Sequence, residues 1–261
     1  MKLVSFVREG RPSYGVIDGE TVRDAGGALR AEFADLKAVF GSATDLERLK
    51  DAAAKAPAID RASVTMLPPL PNPAKIFCIG INYEEHRVET GRQKSAKPTV
   101  FTRFADTLIA NGDDAWVPGE SVEIDFEGEL AVIIGKGGRR IARDQALTHV
   151  AGYACLNDIS VRDWQKHASQ FTPGKNFPRS GPFGPWIVTA DEIPNPQALQ
   201  LTTRLHGQVM QQAGTDLMIF TVAEIIEYCS TFTPLSPGDV IATGTPGGVG
   251  ARREPPVFMK A

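Results

Sequence analysis

Apolar and polar residues alternate through KLVSFVREGRPSYGVIDGETV at positions 2–22, with breaks at Gly10 and Gly19. A period of two is the mark of half-buried strands, so this stretch predicts a pair of short strands. LERLKDAAAKA at 46–56 is rich in helix formers and predicts a short helix. Pro68-Pro69-Leu70-Pro71-Asn72-Pro73 then places four prolines in six residues. Fixed φ angles and missing N–H donors make such a run extended and semi-rigid. It divides the chain into a small N-terminal α/β domain over 1–67, a Pro-rich linker over 68–74 and a larger domain over 75–261.

The larger domain has a different texture. IFCIGINY (76–83) and ELAVIIG (129–135) are unbroken apolar runs, expected of strands buried on both faces. YEEHRVETG (83–91) predicts one or two helical turns stopped by Gly91, and 92–98 is polar. DQALTHVAGYACLND (144–158) reads as a helix leading into a strand. Residues 171–185 hold four prolines and three glycines and predict a long structured loop. The clearest helix is MIFTVAEIIEYCSTF (218–232), where Ile219, Val222, Ile226 and Cys229 recur at helical spacing. PGDVIATGTPGGVG (237–250) predicts a turn, a strand and a Gly-rich loop. The expected class is mostly β with some α.

Composition narrows the function. Of 261 residues, 42% are hydrophobic, enough for a substantial core, and 25 Gly with 19 Pro agree with many turns. With 28 basic against 31 acidic residues the net charge is −3, which argues against nucleic acid or an anionic membrane as the main partner. No apolar run reaches the ~18 residues of a membrane span. The first residues lack the apolar core expected of a signal peptide. Cys78, Cys155 and Cys229 are scattered and odd in number, which fits no disulfide framework and suits a cytoplasmic setting; all three are expected to be buried small hydrophobes.

The telling local pattern is Glu123-Ile124-Asp125-Phe126-Glu127-Gly128-Glu129. Acids at period two on a strand share one face, where they repel one another, and the apolar run that follows carries the strand into a core. A hard divalent cation would relieve that conflict. An edge strand with a solvated acidic face has the same spacing. Glu127 and Glu129 stand nearest the buried end and are the better ligand candidates. Asp158, in CLNDIS at the end of another apolar strand, offers a third carboxylate; as a lone residue it suits a cap or a turn equally. His86 and Glu89 are three apart and share a helix face, where a carboxylate orients an imidazole as a general base, though a surface histidine with a chance acidic neighbour looks the same. GTPGGVG lacks the spacing of a dinucleotide loop, and GKGG at 135–138 lacks that of a phosphate loop.

Together, IGINYEEHRVE, DFEGELAVIIG, VAGYACLNDISVRDWQ, FTPGKNF and PGDVIATGTPGGVG resemble the fumarylacetoacetate hydrolase family over about residues 75–250, in the family's order. The likeness is to its bacterial acylpyruvase and 2-hydroxyhepta-2,4-diene-1,7-dioate isomerase members. It implies a β-roll catalytic domain in a homodimer. It also implies Mg²⁺ or Mn²⁺ on Glu127, Glu129 and Asp158, and a catalytic His86–Glu89 pair with Lys175. Arg162, Gln165 and Thr243 fall on positions that contact substrate or water. Family members usually carry another strand or two beyond the equivalent of Phe258–Ala261.

The reaction the resemblance implies is hydrolysis of a carbon–carbon bond in a 2,4-dioxo acid through a metal-bound enolate. His86 would activate the water, and Lys175 with Gln165 would stabilise the oxyanion. The same site would serve an oxaloacetate-type decarboxylase or a 2-hydroxy-diene-dioate isomerase. A metal-dependent binding protein without catalysis is the remaining alternative; the joint presence of His86, Glu89, Lys175 and three carboxylates speaks against it.

Overall fold

A computed structural model describes all residues, 1–261. One large sheet organises the chain. Its main path comprises β1 (Lys2–Arg8), β2 (Arg11–Asp18), β3 (Thr21–Asp24), β4 (Ala58–Asp60), β5 (Ile76–Gly80), β6 (Thr99–Thr102), β7 (Gly128–Ile134), β8 (Val150–Asn157), β9 (Gly181–Thr189) and, skipping a hairpin, β12 (Val240–Ala242), while the two-residue strands Thr65–Met66 and Leu108–Ile109 pair off this path with β1 and β9. The strands of the path lie side by side in the order β4-β3-β2-β1-β9-β8-β7-β12-β5-β6. Neighbours on this path run antiparallel except β12 and β5, which are parallel. The intervening hairpin, β10 (Gln200–Leu205) and β11 (Gln208–Gly214), pairs only with itself. The class is α+β dominated by sheet, as the sequence pattern predicts.

The N-terminal strands extend the same sheet, because β1 pairs with β9 through Leu3 and Ile187. Residues from both sides of the Pro-rich segment share one core, where Leu3, Tyr14, Leu36 and, from the helix α1 (Ala43–Lys55), Leu49 pack with Ile76, Ala131, Ile133 and Ile187. The opposite face of β7 sends Leu130, Val132 and Ile134 into a second core. Burial on both faces is why ELAVIIG reads as continuous and not alternating. That second core is closed by the helix α5 (Val222–Phe232), which buries Val222, Ile225, Ile226 and Cys229. Thr221 and Glu224 cap it reciprocally, so the helix begins after Ile219, later than its apolar spacing suggests. Each such buried aliphatic side chain stabilises the fold by about 1.5–3 kcal/mol relative to exposure.

Residues 143–149 form a helix, of the 3₁₀ type, leading into β8 as the sequence predicts. Other expectations are corrected. Cys155 is exposed: its neighbours Ala154 and Leu156 face the core, while Cys155 lines an apolar groove of about 210 Å³. The four acids do not share one strand face. Ile124–Asp125 is a short strand of its own, paired with Ser160–Val161, and the chain leaves strand geometry at Phe126 and Glu127 before β7 begins. Asp125 is thereby turned to other partners, leaving Glu127 and Glu129 as the pair.

Candidate active site

Strand register builds the carboxylate cluster. β7 and β8 are antiparallel, with Gly128 opposite Asn157 and Glu129 opposite Leu156. The ladder runs one step past the strand ends: Asp158 N–H donates to Glu127 O at 2.9 Å, and Glu127 N–H donates to Asn157 Oδ1 at 2.9 Å. Asp158 is thus held beside Glu127, and one oxygen from each of Glu127, Glu129 and Asp158 lies within 4.8 Å of the others. All three are buried.

Three buried cations surround them. Lys175, on the one-turn helix α4 (Thr172–Lys175), bridges Glu127 Oε2 and Asp158 Oδ2 at 2.6 Å each. Arg162, on the one-turn helix α3 (Arg162–Gln165), spans Asp125 Oδ2 at 2.8 Å and Glu127 Oε1 at 2.6 Å. Arg103 holds Asp158 Oδ1. Glu129 has no cationic partner; its Oε2 accepts only the Gly244 N–H, at 2.7 Å. Gly244 has φ +98°, and a Cβ there would meet Asn82 Cβ at 2.7 Å and Ile79 O at 2.8 Å, so glycine is required for this close approach.

The charges divide the carboxylates. Burial alone would raise Glu127, but Lys175 and Arg162 overturn it and hold the carboxyl well below the usual range. Burial pushes Glu129 well above that range, and the charges of Asp158 and Glu127 push it further. Burial works against the charge on Lys175 too, yet Asp158 and Glu127 keep its pKa raised. A divalent cation fits this donor set: three hard oxygen donors converge, and one lacks any counter-charge.

A cavity of about 940 Å³ opens onto Glu127 and Glu129, with Asp158 and Arg103 behind them. His86 lines it from the helix α2 (Glu84–Glu89). His86 Nδ1 meets Glu89 Oε1 at 2.6 Å, and Glu89 Oε2 accepts the Gly248 N–H at 2.9 Å. The carboxylate is fixed at both oxygens and so fixes the ring, leaving Nε2 as the nitrogen available for proton exchange. Gln165 lines the same cavity; its Oε1 accepts from Arg162, which leaves its amide N–H groups as donors. The structure therefore brings together Glu127, Glu129, Asp158, His86, Glu89, Lys175, Arg162 and Gln165.

Thr243 stands apart. It is fully buried, and its hydroxyl donates to Leu130 O at 2.9 Å. Of the two threonines in this motif, it is Thr245, two residues on, that lines the cavity. Sequence reading missed Arg103, a lone basic residue in TVFTRFAD with no local signal. Asp125 stands in the period-two acidic pattern, but its role is set by partners far along the chain: its carboxylate accepts from Gly250 N–H, Ala251 N–H and Arg162, tying the Gly-rich loop to the site.

A mixed sheet carrying a buried Glu-Glu-Asp cluster beside a His-Glu pair defines a class of enzyme, and the comparisons identify it. The family model described as fumarylacetoacetate (FAA) hydrolase C-terminal matches residues 75–261. The chain belongs to the fumarylacetoacetate hydrolase family. It is 42% identical over 205 residues to the mitochondrial oxaloacetate tautomerase fahd2 of Xenopus laevis, spanning 78% of this chain and 64% of that protein, so it covers a little under two thirds of the relative's length. A 2-hydroxyhepta-2,4-diene-1,7-dioate isomerase from Mycobacterium marinum superposes with TM-score 0.76 at 29% identity, covering 96% of this chain and 89% of that one. Maleylpyruvate hydrolase from Sphingobium sp. SYK-6, in complex with manganese(II) and pyruvate, gives TM-score 0.79 at 29% identity, covering 96% and 90%. The family thus includes hydrolase, isomerase and tautomerase chemistries.

Proposed function

We propose that the protein is a divalent-metal-dependent hydrolase that cleaves a carbon–carbon bond of a 2,4-dioxo acid. The observation that carries this reading is that His86, held by Glu89, lines the same cavity as Glu127 and Glu129 of the carboxylate cluster. Glu127, Glu129 and Asp158 would hold Mg²⁺ or Mn²⁺, which when bound supplies a Lewis acid and a template for the 2-oxo acid end. His86 Nε2 takes a proton from water, and the resulting hydroxide adds to the distal carbonyl carbon. The Gln165 amide donates to the developing oxyanion. Collapse breaks the carbon–carbon bond, and its electron pair stays on the methylene carbon of the pyruvate fragment as an enolate. His86 returns the proton to that carbon, so that one water is consumed and a carboxylic acid and pyruvate leave. Lys175, engaged with Glu127 and Asp158, sets the charge of the cluster.

The charged lining points to the substrate's other end. Apart from Glu127 and Glu129, every charged residue on the cavity wall is basic, and Arg92, Lys166 and Arg252 line it along with Arg162 and Lys175. Such a mouth favours an acid with a second carboxylate at its far end. The proposal also takes the protein to be a homodimer, as the family resemblance implies, in the cytoplasmic setting that its scattered cysteines fit; equilibrium sedimentation tests the dimer.

A second reading is favoured by the 42% identity to an oxaloacetate tautomerase. There His86 would move a proton between C3 and the 2-oxo oxygen of oxaloacetate, with no attacking water. One assay separates the two. Chelator-stripped protein is given acetylpyruvate, a diacid 2,4-dioxo substrate such as maleylpyruvate, or oxaloacetate, with and without Mg²⁺ or Mn²⁺, alongside Glu127→Ala. Metal-restored pyruvate release from a dioxo acid, lost in Glu127→Ala, supports the hydrolase. Accelerated decay of the enol absorbance of oxaloacetate without pyruvate supports the tautomerase, and pyruvate from oxaloacetate alone means a decarboxylase. Metal binding that survives Glu127→Ala would sink the ligand assignment.

A further inference from the structure

The β10–β11 hairpin lies outside the main sheet, yet one of its side chains reaches the centre of the site. Gln211, on β11, is 1% exposed. Its Oε1 accepts the N–H of Gly128, the residue between the ligand candidates Glu127 and Glu129, at 3.1 Å. Its Nε2 donates to Thr245 Oγ1 at 2.7 Å and to Pro246 O at 2.9 Å. Thr245 Oγ1 in turn donates to Gly128 O at 2.9 Å. One amide therefore joins both backbone groups of Gly128, one directly and one through Thr245, to the loop that lines the cavity. The hairpin is seated against the ligand strand itself: a Cβ on Gly128 would stand 2.1 Å from Oγ1 of Thr203, the cross-strand partner of Gln211.

The hydrogen-bond inventory of a hydroxyl gives this arrangement a consequence. Thr245 has one proton to donate, and the Gln211 N–H already occupies a lone pair on its oxygen. The oxygen is held in place with that lone pair filled, and the single hydroxyl proton is left to whichever acceptor faces it. Its acceptor in this structure is Gly128 O; a ligand carboxylate at the cluster would be the alternative acceptor. Rotating the Gln211 amide would set its NH₂ against the Gly128 N–H, so the amide has one workable orientation.

We propose that Gln211 is a positioning residue that acts through Thr245: it holds the Thr245 hydroxyl as a donor to the carboxylate of a bound 2-oxo acid and locks it to the strand that carries Glu127 and Glu129. The proposal rests on the reading of the site as one for 2-oxo acids. Oxalate is the probe, since it copies the chelating end of such an acid and needs no turnover. Its affinity is measured by calorimetry for Mn²⁺-loaded wild type, Gln211→Met, Thr245→Val and the double variant. Each single change is expected to weaken oxalate about 10-fold or more, the usual cost of losing a group that orients a metal-site contact. The double variant is expected to bind no more weakly than Thr245→Val alone, because Gln211 has nothing left to act through. Losses that multiply would show a separate structural role and overturn the proposal.

A spectroscopic measurement on the protein with Gln211 intact protects the test against a misfolded Gln211→Met. The side-chain amide ¹⁵N–¹H resonances of Gln211 are expected to differ between wild type and Thr245→Val without ligand, and to move when Mg²⁺-loaded wild type is titrated with oxalate. Resonances that ignore the loss of the Thr245 hydroxyl overturn the coupling whatever the site binds. Wild type that takes up metal but no oxalate counts against the 2-oxo acid reading instead, which leaves the two failures distinguishable.

Discussion

Arg103 grips Asp158 Oδ1 with two donors, Nε at 2.9 Å and Nη2 at 2.5 Å, and neither side chain reaches water. Arg103 Nη1 donates to Ser180 Oγ at 2.7 Å, and Nη2 also reaches Ile159 O at 2.9 Å. Removing one partner of a buried pair strands the other's charge, which costs about 3–5 kcal/mol. Arg103→Met should therefore lower the melting temperature of ion-free protein by roughly 10 °C, given about 2–4 °C per kcal/mol for a domain of this size. Added Mg²⁺ should recover part of the loss by replacing the missing positive charge. Thermal unfolding followed by circular dichroism checks this, and an unchanged midpoint would contradict it.

The His86–Glu89 pair should separate catalysis from metal binding. His86→Ala is expected to lower kcat about 10²–10⁴-fold, the usual contribution of a positioned general base. Glu89→Gln should lower it less, because the imidazole remains but loses the carboxylate that orients it. Mn²⁺ affinity should stay within a few-fold of wild type in both, since neither residue belongs to the carboxylate cluster. A large loss of metal affinity in His86→Ala would mean that the ligand set had been misjudged.

Glu129 ties metal binding to pH. Its folded pKa is raised, so above the ordinary carboxylate value of ~4.3 the ion-free folded chain binds more protons at this site than the unfolded chain. Stability then falls as pH rises through that window. An incoming metal ion must displace the proton, so metal affinity should rise with pH across the same window. Glu129→Gln removes the buried like charge and keeps an oxygen for the Gly244 N–H. It should make the ion-free protein more stable at neutral pH while weakening metal binding and flattening its pH dependence. Calorimetric metal titrations at several pH values, paired with urea unfolding, measure both; a destabilised Glu129→Gln would sink the electrostatic account.

Arg252 is exposed at the cavity wall and has no carboxylate within salt-bridge distance. If the substrate is a diacid, Arg252→Gln should raise its KM by about five-fold, the weight of an exposed charge pair, and leave a monoacid such as acetylpyruvate unaffected. The effect should shrink with added salt. Equal KM changes for the two substrates would remove Arg252 from the recognition of a distal carboxylate.

Much of this was written into the sequence locally. Alternation, continuous apolar runs and Gly/Pro punctuation marked the strands and the α5 helix, because burial on one or both faces imposes a period that needs no knowledge of partners. The pairing of His86 with Glu89 was legible for the same reason, since one helical turn fixes which side chains meet. Tertiary structure decided the rest. Four acids at period two looked like one face, yet the chain leaves strand geometry at Phe126 and Glu127, turning Asp125 to the Gly-rich loop and Arg162. The Cys155 side chain came out exposed because the face opposite its core neighbours is not filled. Arg103 and Asp158 are 55 residues apart, and Gln211 and Gly128 are 83 apart. Such pairs are set by strand register and by how the hairpin and loops settle on the sheet, and a period along the chain carries no record of them.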